Sequence, residues 1–229
     1  MAIICRKYNL LFIMTPRTAC TAIGQLLCER FWGEFIPPDD ILDSRGLILV
    51  DKKHSTLSDL IKHKLLTREQ ANSLLKVAAV RNPFDSLVSV YFKQRFKYQP
   101  LLADPSSWVH RRPRYASYMK YAETHSFNAW VFRVSYRKII RSLLGLRAST
   151  SMFAGYTHGM DEIVRYESIE NDLKKVFNRA GIAWKGNLPK INLTDERTDR
   201  DYRSFYSRPA ALAVALAYSY DLKTYGYRF

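Results

Sequence analysis

The chain has 229 residues, a length that predicts one globular domain over 1–229, and its 47% hydrophobic and 25% charged content excludes an intrinsically disordered protein. Thirty-six Lys and Arg against 21 Asp and Glu give a net charge of +15, so we expect a polyanionic partner: nucleic acid, anionic membrane, acidic glycan or a multiply phosphorylated nucleotide. The three cysteines, none of them at CxxC spacing, exclude a disulfide framework and disfavour a cysteine zinc site.

The first elements in chain order are a buried strand and a helix. The apolar run in MAIICRKYNLLFIM is interrupted by Arg6 and Lys7, so it is too short for a membrane span and lacks a signal-peptide layout. We interpret it as one buried strand, centred on residues 8–14, and expect a cytoplasmic protein. Apolar residues at helical spacing predict a helix over 19–31.

Strands and helices then alternate along the chain. Further strands are predicted at 47–50, 76–80 and 162–166, and further helices at 56–64, 68–75, from 83 onward, and at 127–144, 169–180 and 209–220. The segment 95–125 is rich in Tyr, Arg, Pro and Trp without a clear period, which predicts a loop-rich surface insertion. This alternation predicts an α/β fold, a three-layer sandwich with a central, mostly parallel sheet.

The first chemical motif is the loop TPRTACTA between the first strand and its helix. A tight strand-to-helix turn presents backbone N–H groups and the positive end of the helix dipole, which together bind anions. Arg17 adds a cation, Thr18 and Thr21 add hydroxyl groups, and Ala19 and Ala22 leave room for close approach. The loop matches neither GxxxxGK[ST] nor GxGxxG, and a plain strand–helix turn remains an alternative.

The second motif is VRNPFDSLVSVY, in which a strand delivers Arg81 to the sheet edge where open α/β folds bind ligands. Ser89 follows eight residues later, a little over two helical turns along. A guanidinium and a hydroxyl arranged in this way can hold one phosphate from two directions. The alternatives are a strand-end salt bridge for Arg81 and a small packing residue in the case of Ser89.

These two motifs together resemble the cofactor motifs of sulfotransferases that use 3′-phosphoadenosine 5′-phosphosulfate (PAPS). The likeness is closer to carbohydrate-type and bacterial members, and it continues through VRYESIENDLKKVF, LPKINLT and YSYDLKTYGY. The resemblance implies a P-loop-like sulfotransferase fold with PAPS as co-substrate and no metal. It also implies that Arg17 contacts the 5′-phosphosulfate, that Arg81 and Ser89 contact the 3′-phosphate, and that the loop lining is Thr18, Ala19, Cys20, Thr21 and Ala22.

Two departures from the family pattern affect this expectation. The family loop often has Gly after the Thr, whereas Ala19 and Cys20 follow here, and left-handed backbone angles cost more for these residues. The chain also lacks the RKG-type segment of cytosolic small-molecule sulfotransferases. We expect residues 192–200 to cover the nucleotide instead.

Sulfuryl transfer needs positioning, a stabilised leaving group and a general base. We assign the base to His54, which follows a predicted strand and has an unperturbed pKa near neutrality, and we assign stabilisation of the bridging oxygen to Arg17. A surface position before a helix cap remains the alternative for His54. Asp51 and Glu167 are reserve bases, and Lys52 or Lys53 is a further candidate contact of the sulfuryl group.

The sequence does not identify the acceptor, which is predicted to be a small molecule or glycan, possibly anionic. The basic and aromatic residues of 95–125 are the expected acceptor surface. A nucleotide or nucleoside kinase with an atypical phosphate loop, a basic nucleic-acid-binding module and a sulfotransferase-like fold that only binds ligand remain alternatives. Under the favoured interpretation, no nucleic-acid partner and no membrane span are expected.

Overall fold

The computed structural model describes residues 2–184, 186–189 and 201–229. In chain order its strands are β1 Ala2–Cys5, β2 Leu10–Ile13, β3 Glu34–Ile36, β4 Ile41–Leu42, β5 Ile48–Val50, β6 Leu75–Val80 and β7 Glu162–Arg165. Its α-helices are α1 Cys20–Arg30, α2 Leu57–Lys62, α3 Arg68–Asn72, α4 Pro83–Phe92, α5 Pro113–Thr124, α6 Phe127–Leu143, α7 Ala154–Thr157, α8 Ile169–Arg179, α9 Arg208–Ala217 and α10 Ser219–Tyr225. The chain forms two compact units: unit 1 is Met1–Arg81 with Phe153–Leu193, and unit 2 is Asn82–Met152 with Thr194–Phe229.

Unit 1 contains a five-stranded sheet in the order β3-β1-β2-β6-β7. The pairs β2–β6 and β6–β7 are parallel, whereas β1 is antiparallel to both of its neighbours. Four of the five strands therefore run in one direction. The predicted α/β fold with a mostly parallel sheet is confirmed.

Helices cover both faces of this sheet. Side chains of alternate strand residues point to opposite faces, so Phe12 and Val77 pack with α1 and α8 on one side, while Leu11 and Ala78 pack with Leu60 of α2 on the other. This arrangement is the predicted three-layer sandwich. Burial of apolar side chains on both faces explains why β1, β2 and residues 77–80 of β6 are continuously hydrophobic.

Unit 2 is helical. Its core joins α4, α5, α6 and α9 through buried aromatic and aliphatic side chains, including Phe84, Tyr91, Trp130 and Val214. The Asn82 side chain caps α4 by accepting a hydrogen bond from the Phe84 amide at 3.1 Å. Among the described residues, no helix is long and apolar enough to cross a bilayer.

The segment predicted to be a loop-rich insertion, 95–125, is more helical than expected: short 3-10 turns occupy its middle, but its last part is an α-helix. This segment contains the 12-residue helix α5, and a π-helical turn at Lys93–Lys97 continues α4. The helix went unpredicted because three of its four large hydrophobic residues are tyrosines and its buried residues are Met119 and Ala122, so the apolar period is weak. Pro113 at the first helical position is the start signal that was available.

Three other boundaries also differ from prediction. The N-terminal run forms two antiparallel strands rather than one, because a short turn with Asn9 at φ 46° reverses the chain. The strand predicted at 47–50 pairs with β4 in a separate two-stranded sheet. The predicted closing helix 209–220 is divided at Tyr218 into α9 and α10. The predicted cover at 192–200 lies outside the described residues.

Candidate functional site

The carboxyl ends of three parallel strands meet at one edge of the sheet in unit 1. Arg81 follows β6 directly, and its buried guanidinium donates from Nη1 to the Arg17 carbonyl at 3.0 Å, in the loop after β2. Its Cζ also lies 3.9 Å from the ring centroid of Tyr166, which follows β7. Arg81 therefore connects the ends of all three strands, at the edge where open α/β folds bind ligands.

The loop between β2 and α1 has an unusual backbone. Arg17 has φ 68° and Ala19 has φ 56° with ψ 22°, left-handed angles that cost an L-residue roughly 1–2 kcal/mol. Thr18 stabilises the turn by donating its hydroxyl to the Thr15 carbonyl at 2.9 Å. Ala19 thus adopts a left-handed conformation although it carries a side chain, at the position where such angles were expected to be costly.

The helix that follows this loop begins without a side-chain cap. Ala19 is its N-cap residue and accepts from the amides of Ala22 and Ile23 through its carbonyl, but it has no side-chain acceptor with which to cap the first amides of α1. Left-handed residues before an uncapped helix aim successive N–H groups into one concavity, which is suited to an anion.

Replacing Ala19 by glycine is expected to raise the free energy of unfolding by about 0.5–1 kcal/mol, since relief of the left-handed strain exceeds the added entropy of the unfolded chain. Urea denaturation measures this difference. Ala22→Gly is the matched control: it lies in the right-handed first turn of α1 and is expected to lower stability by about 1 kcal/mol. If both variants lowered the free energy of unfolding equally, Ala19 would not be strained.

Positive charge surrounds the start of α1. Burial raises the pKa of the Cys20 thiol, while the charges of Lys53 and Arg17 act in the opposite direction. Both cations are thus close enough to influence the first residue of the helix. The field of the helix dipole has the same sign there, so this region attracts anions.

His54 contacts the same loop from another side. Its Nδ1 lies 2.7 Å from the Met14 carbonyl at the end of β2. Because a carbonyl only accepts hydrogen bonds, Nδ1 carries the proton and Nε2 is left with its lone pair. Burial lowers the pKa of His54 to about 4, although the Met14 hydrogen bond and the charge of Asp51 act in the opposite direction. The imidazole is therefore neutral at pH 7.

His54 reaches the sheet edge as predicted, but the prediction that a strand of the main sheet delivers it there is wrong. The preceding strand, β5, belongs to the separate two-stranded sheet, so it does not deliver His54 there. The contact with Met14 does so instead. Of the reserve bases, Glu167 is exposed, while Asp51 accepts from the Lys53 amide at 2.6 Å.

The structure brings most of the predicted site residues together within unit 1: Arg17, Thr18, Ala19, Cys20, Thr21, Ala22, His54 and Arg81. Ser89 is buried on α4 in unit 2, and its role stays a prediction. Tyr166 was missed as a site residue. The rule that found Arg81, a polar residue directly after a parallel strand, applies equally to Tyr166. Among the described residues, no group of three or more His, Cys, Asp or Glu side chains could hold a metal ion.

A model of the sulfotransferase family matches residues 1–228. No curated protein and no solved structure matches the chain. The family match covers nearly the whole sequence, and the chain is a member of the sulfotransferase family. It is accordingly a transferase that moves a sulfuryl group from PAPS, as its two motifs predicted, and the kinase and nucleic-acid interpretations are set aside.

Proposed function

We propose that this sulfotransferase binds PAPS at the carboxyl edge of its sheet and transfers the sulfuryl group to a hydroxyl of an anionic carbohydrate. The observation that carries the donor site is the contact of Arg81 with the Arg17 carbonyl. Arg81 belongs to the second motif and holds the backbone of the first motif, so the hydrogen bond fixes the positions of Arg81 and the first loop relative to each other.

The residues present suit a nucleotide with charge at both its 3′ and 5′ positions. The uncapped start of α1 and the left-handed loop would hold the 5′-phosphosulfate, together with the side chains of Arg17, Thr18 and Thr21. Arg81, buried and supported by the Tyr166 ring, would contact the 3′-phosphate. A guanidinium that is already ordered loses little entropy when it binds a phosphate.

Bound PAPS would supply the sulfuryl group, whose bond to a 5′-phosphate oxygen breaks while the acceptor oxygen bonds to sulfur. Nε2 of His54 would accept the proton of the acceptor hydroxyl, since its lone pair is free at neutral pH. Arg17 and the amides of α1 would stabilise the negative charge that develops on the leaving phosphate oxygen. Lys53 is the second cation suited to this role. This chemistry depends on positioning and fixed charge, without a metal.

The carbohydrate acceptor is supported by a cleft in unit 2. It has a volume of about 640 Å³, a suitable size for a small ligand, and its lining includes Lys120, Tyr121, His125 and Arg133 but none of the described acidic residues. The ring of Tyr121 is stacked on His125 at 3.6 Å and lies 4.8 Å from the Arg133 guanidinium. This lining favours an acceptor with its own sulfate or carboxylate groups.

Isothermal titration with 3′-phosphoadenosine 5′-phosphate (PAP), the stable product, tests the donor site. PAP is expected to bind at least about tenfold more tightly than AMP, because the 3′-phosphate adds charge-assisted hydrogen bonds. Equal affinity for PAP, AMP and ATP would contradict a site built for the 3′-phosphate. With PAP binding established, radiolabelled PAPS and a panel of acidic and neutral oligosaccharides test the acceptor.

A further inference from the structure

The outer face of α6 in unit 2 is apolar although it faces solvent. Phe132, Tyr136, Ile140 and Leu143 recur at spacings of three or four residues, so they share one side of the helix. All are exposed, Ile140 by 54% and Leu143 by 71%. The opposite side holds the buried residues of α6, such as Trp130 and Val131. A helix that already buries one face has no need of a second apolar face for folding, which indicates an interaction surface.

The turn that ends α6 carries the most exposed side chains of this surface. Gly145, at φ 80°, follows the helix, and its amide donates to the Ser142 carbonyl while the Leu146 amide donates to that of Arg141. This pair of bonds is a Schellman motif, which holds the turn in one conformation. Leu144 is 71% exposed and Leu146 is 52% exposed. Three leucines thus project from a well-formed helix end.

Arginines flank the apolar stripe. Arg133, Arg137 and Arg141 repeat every four residues along α6, beside the stripe rather than within it. Residues 113–143, which cover α5 and α6, contain six Lys and Arg but a single acidic residue, Glu123. A smaller cleft of about 160 Å³ between the two helices is lined by Arg114, Arg133 and Arg137, with no acidic side chain among its described residues.

We propose that this face, the leucine turn of α6 and its arginine row, binds the surface of an anionic membrane. The leucines would enter the boundary between headgroups and acyl chains, and the arginines would contact lipid phosphates and carboxylates, as in amphipathic surfaces that lie on membranes. The inference goes beyond the proposed function and does not depend on it, since every residue it uses lies in unit 2.

The chemistry of the face favours a membrane over other occupants. A second copy of the chain would bring together two chains that each have a net charge of +15, and it would face one arginine row with another, which opposes association. A nucleic acid would use exposed rings for base stacking, but the Tyr121 ring is already covered by His125 and Arg133. A soluble polyanion would use the arginines and would give no role to the exposed leucines.

Sedimentation with phosphatidylcholine vesicles, with and without phosphatidylserine, tests the proposal. The full chain is expected to bind the phosphatidylserine vesicles. The double variant Leu143→Gln, Leu144→Gln is expected to lower the partition coefficient about a hundredfold, and Arg137→Gln with Arg141→Gln about thirtyfold on anionic vesicles only. Glutamine keeps the helix propensity near that of the replaced residues.

Two matched double variants serve as controls. Leu42→Gln with Leu49→Gln removes exposed leucines of the small sheet, and Lys62→Gln with Lys174→Gln removes exposed cations of unit 1; both are expected to bind like the parent chain. Absence of vesicle binding, or equal losses in test and control variants, would overturn the proposal. So would a dimer in analytical ultracentrifugation that the leucine variant dissociates, or capture of heparin or oligonucleotide without any vesicle binding.

Discussion

Replacing His54 by alanine is expected to lower kcat by about a hundredfold to ten-thousandfold, the range that a positioned general base contributes. The affinity for PAP, measured by titration, is expected to change little, because the imidazole would act on the acceptor proton and not on the nucleotide. His54 is assigned as the base because its Nδ1 contacts the Met14 carbonyl, which leaves Nε2 as the basic atom.

The pH dependence gives a second readout of the same residue. Since burial lowers the pKa of His54 to about 4, the base is unprotonated across the neutral range, and kcat/KM, which reports the free enzyme, is expected to fall only as the pH drops through about 4. His63→Ala is a suitable control, since it also removes a histidine, but one that follows α2 as its C-cap residue and has no assigned role in the site. If the H54A variant kept full activity, another residue would have to be the base. If it lost PAP affinity to the same degree as kcat, His54 would be a residue that positions the loop.

Replacing Arg81 by alanine is expected to weaken PAP binding by about a hundredfold to a thousandfold, as loss of a buried contact to a charged group would. The affinity for AMP, which has no 3′-phosphate, is expected to fall far less. The preference for PAP over AMP should therefore nearly disappear in the variant. Isothermal titration of both nucleotides with both proteins measures the four affinities.

The comparison of PAP with AMP distinguishes the two roles open to Arg81. If its only role is to hold the Arg17 carbonyl, the variant distorts the loop and lowers the affinities for PAP and AMP equally. That result would rule out the 3′-phosphate contact. Arg165→Ala is the matched control, because Arg165 is an exposed arginine at the carboxyl end of the adjacent strand β7. It is expected to leave both affinities unchanged.

Local sequence patterns were sufficient for the parallel part of the sheet and its first loop, but not for the antiparallel strand β1 or the edge strand β3. The short apolar runs ending at Met14 and Val80, each followed by a turn residue and a helix, predicted parallel strands and their common edge. They also predicted that the loops of Arg17 and Arg81 lie at the same sheet edge, but not the hydrogen bond between the two residues. The helix α5 was missed because Tyr side chains, which have an apolar body and a polar end, do not produce a clear hydrophobic period.

What the sequence determined by itself is the class of fold and the class of reaction, because both rest on contiguous motifs whose spacing is local. Only the tertiary structure decided which distant groups meet: the Met14 carbonyl with His54, 40 residues apart, and Tyr166 with Arg81. It also decided that the outer face of α6 stays exposed. Helical spacing predicts that residues share a side, but only the packing of neighbouring elements determines which side is buried.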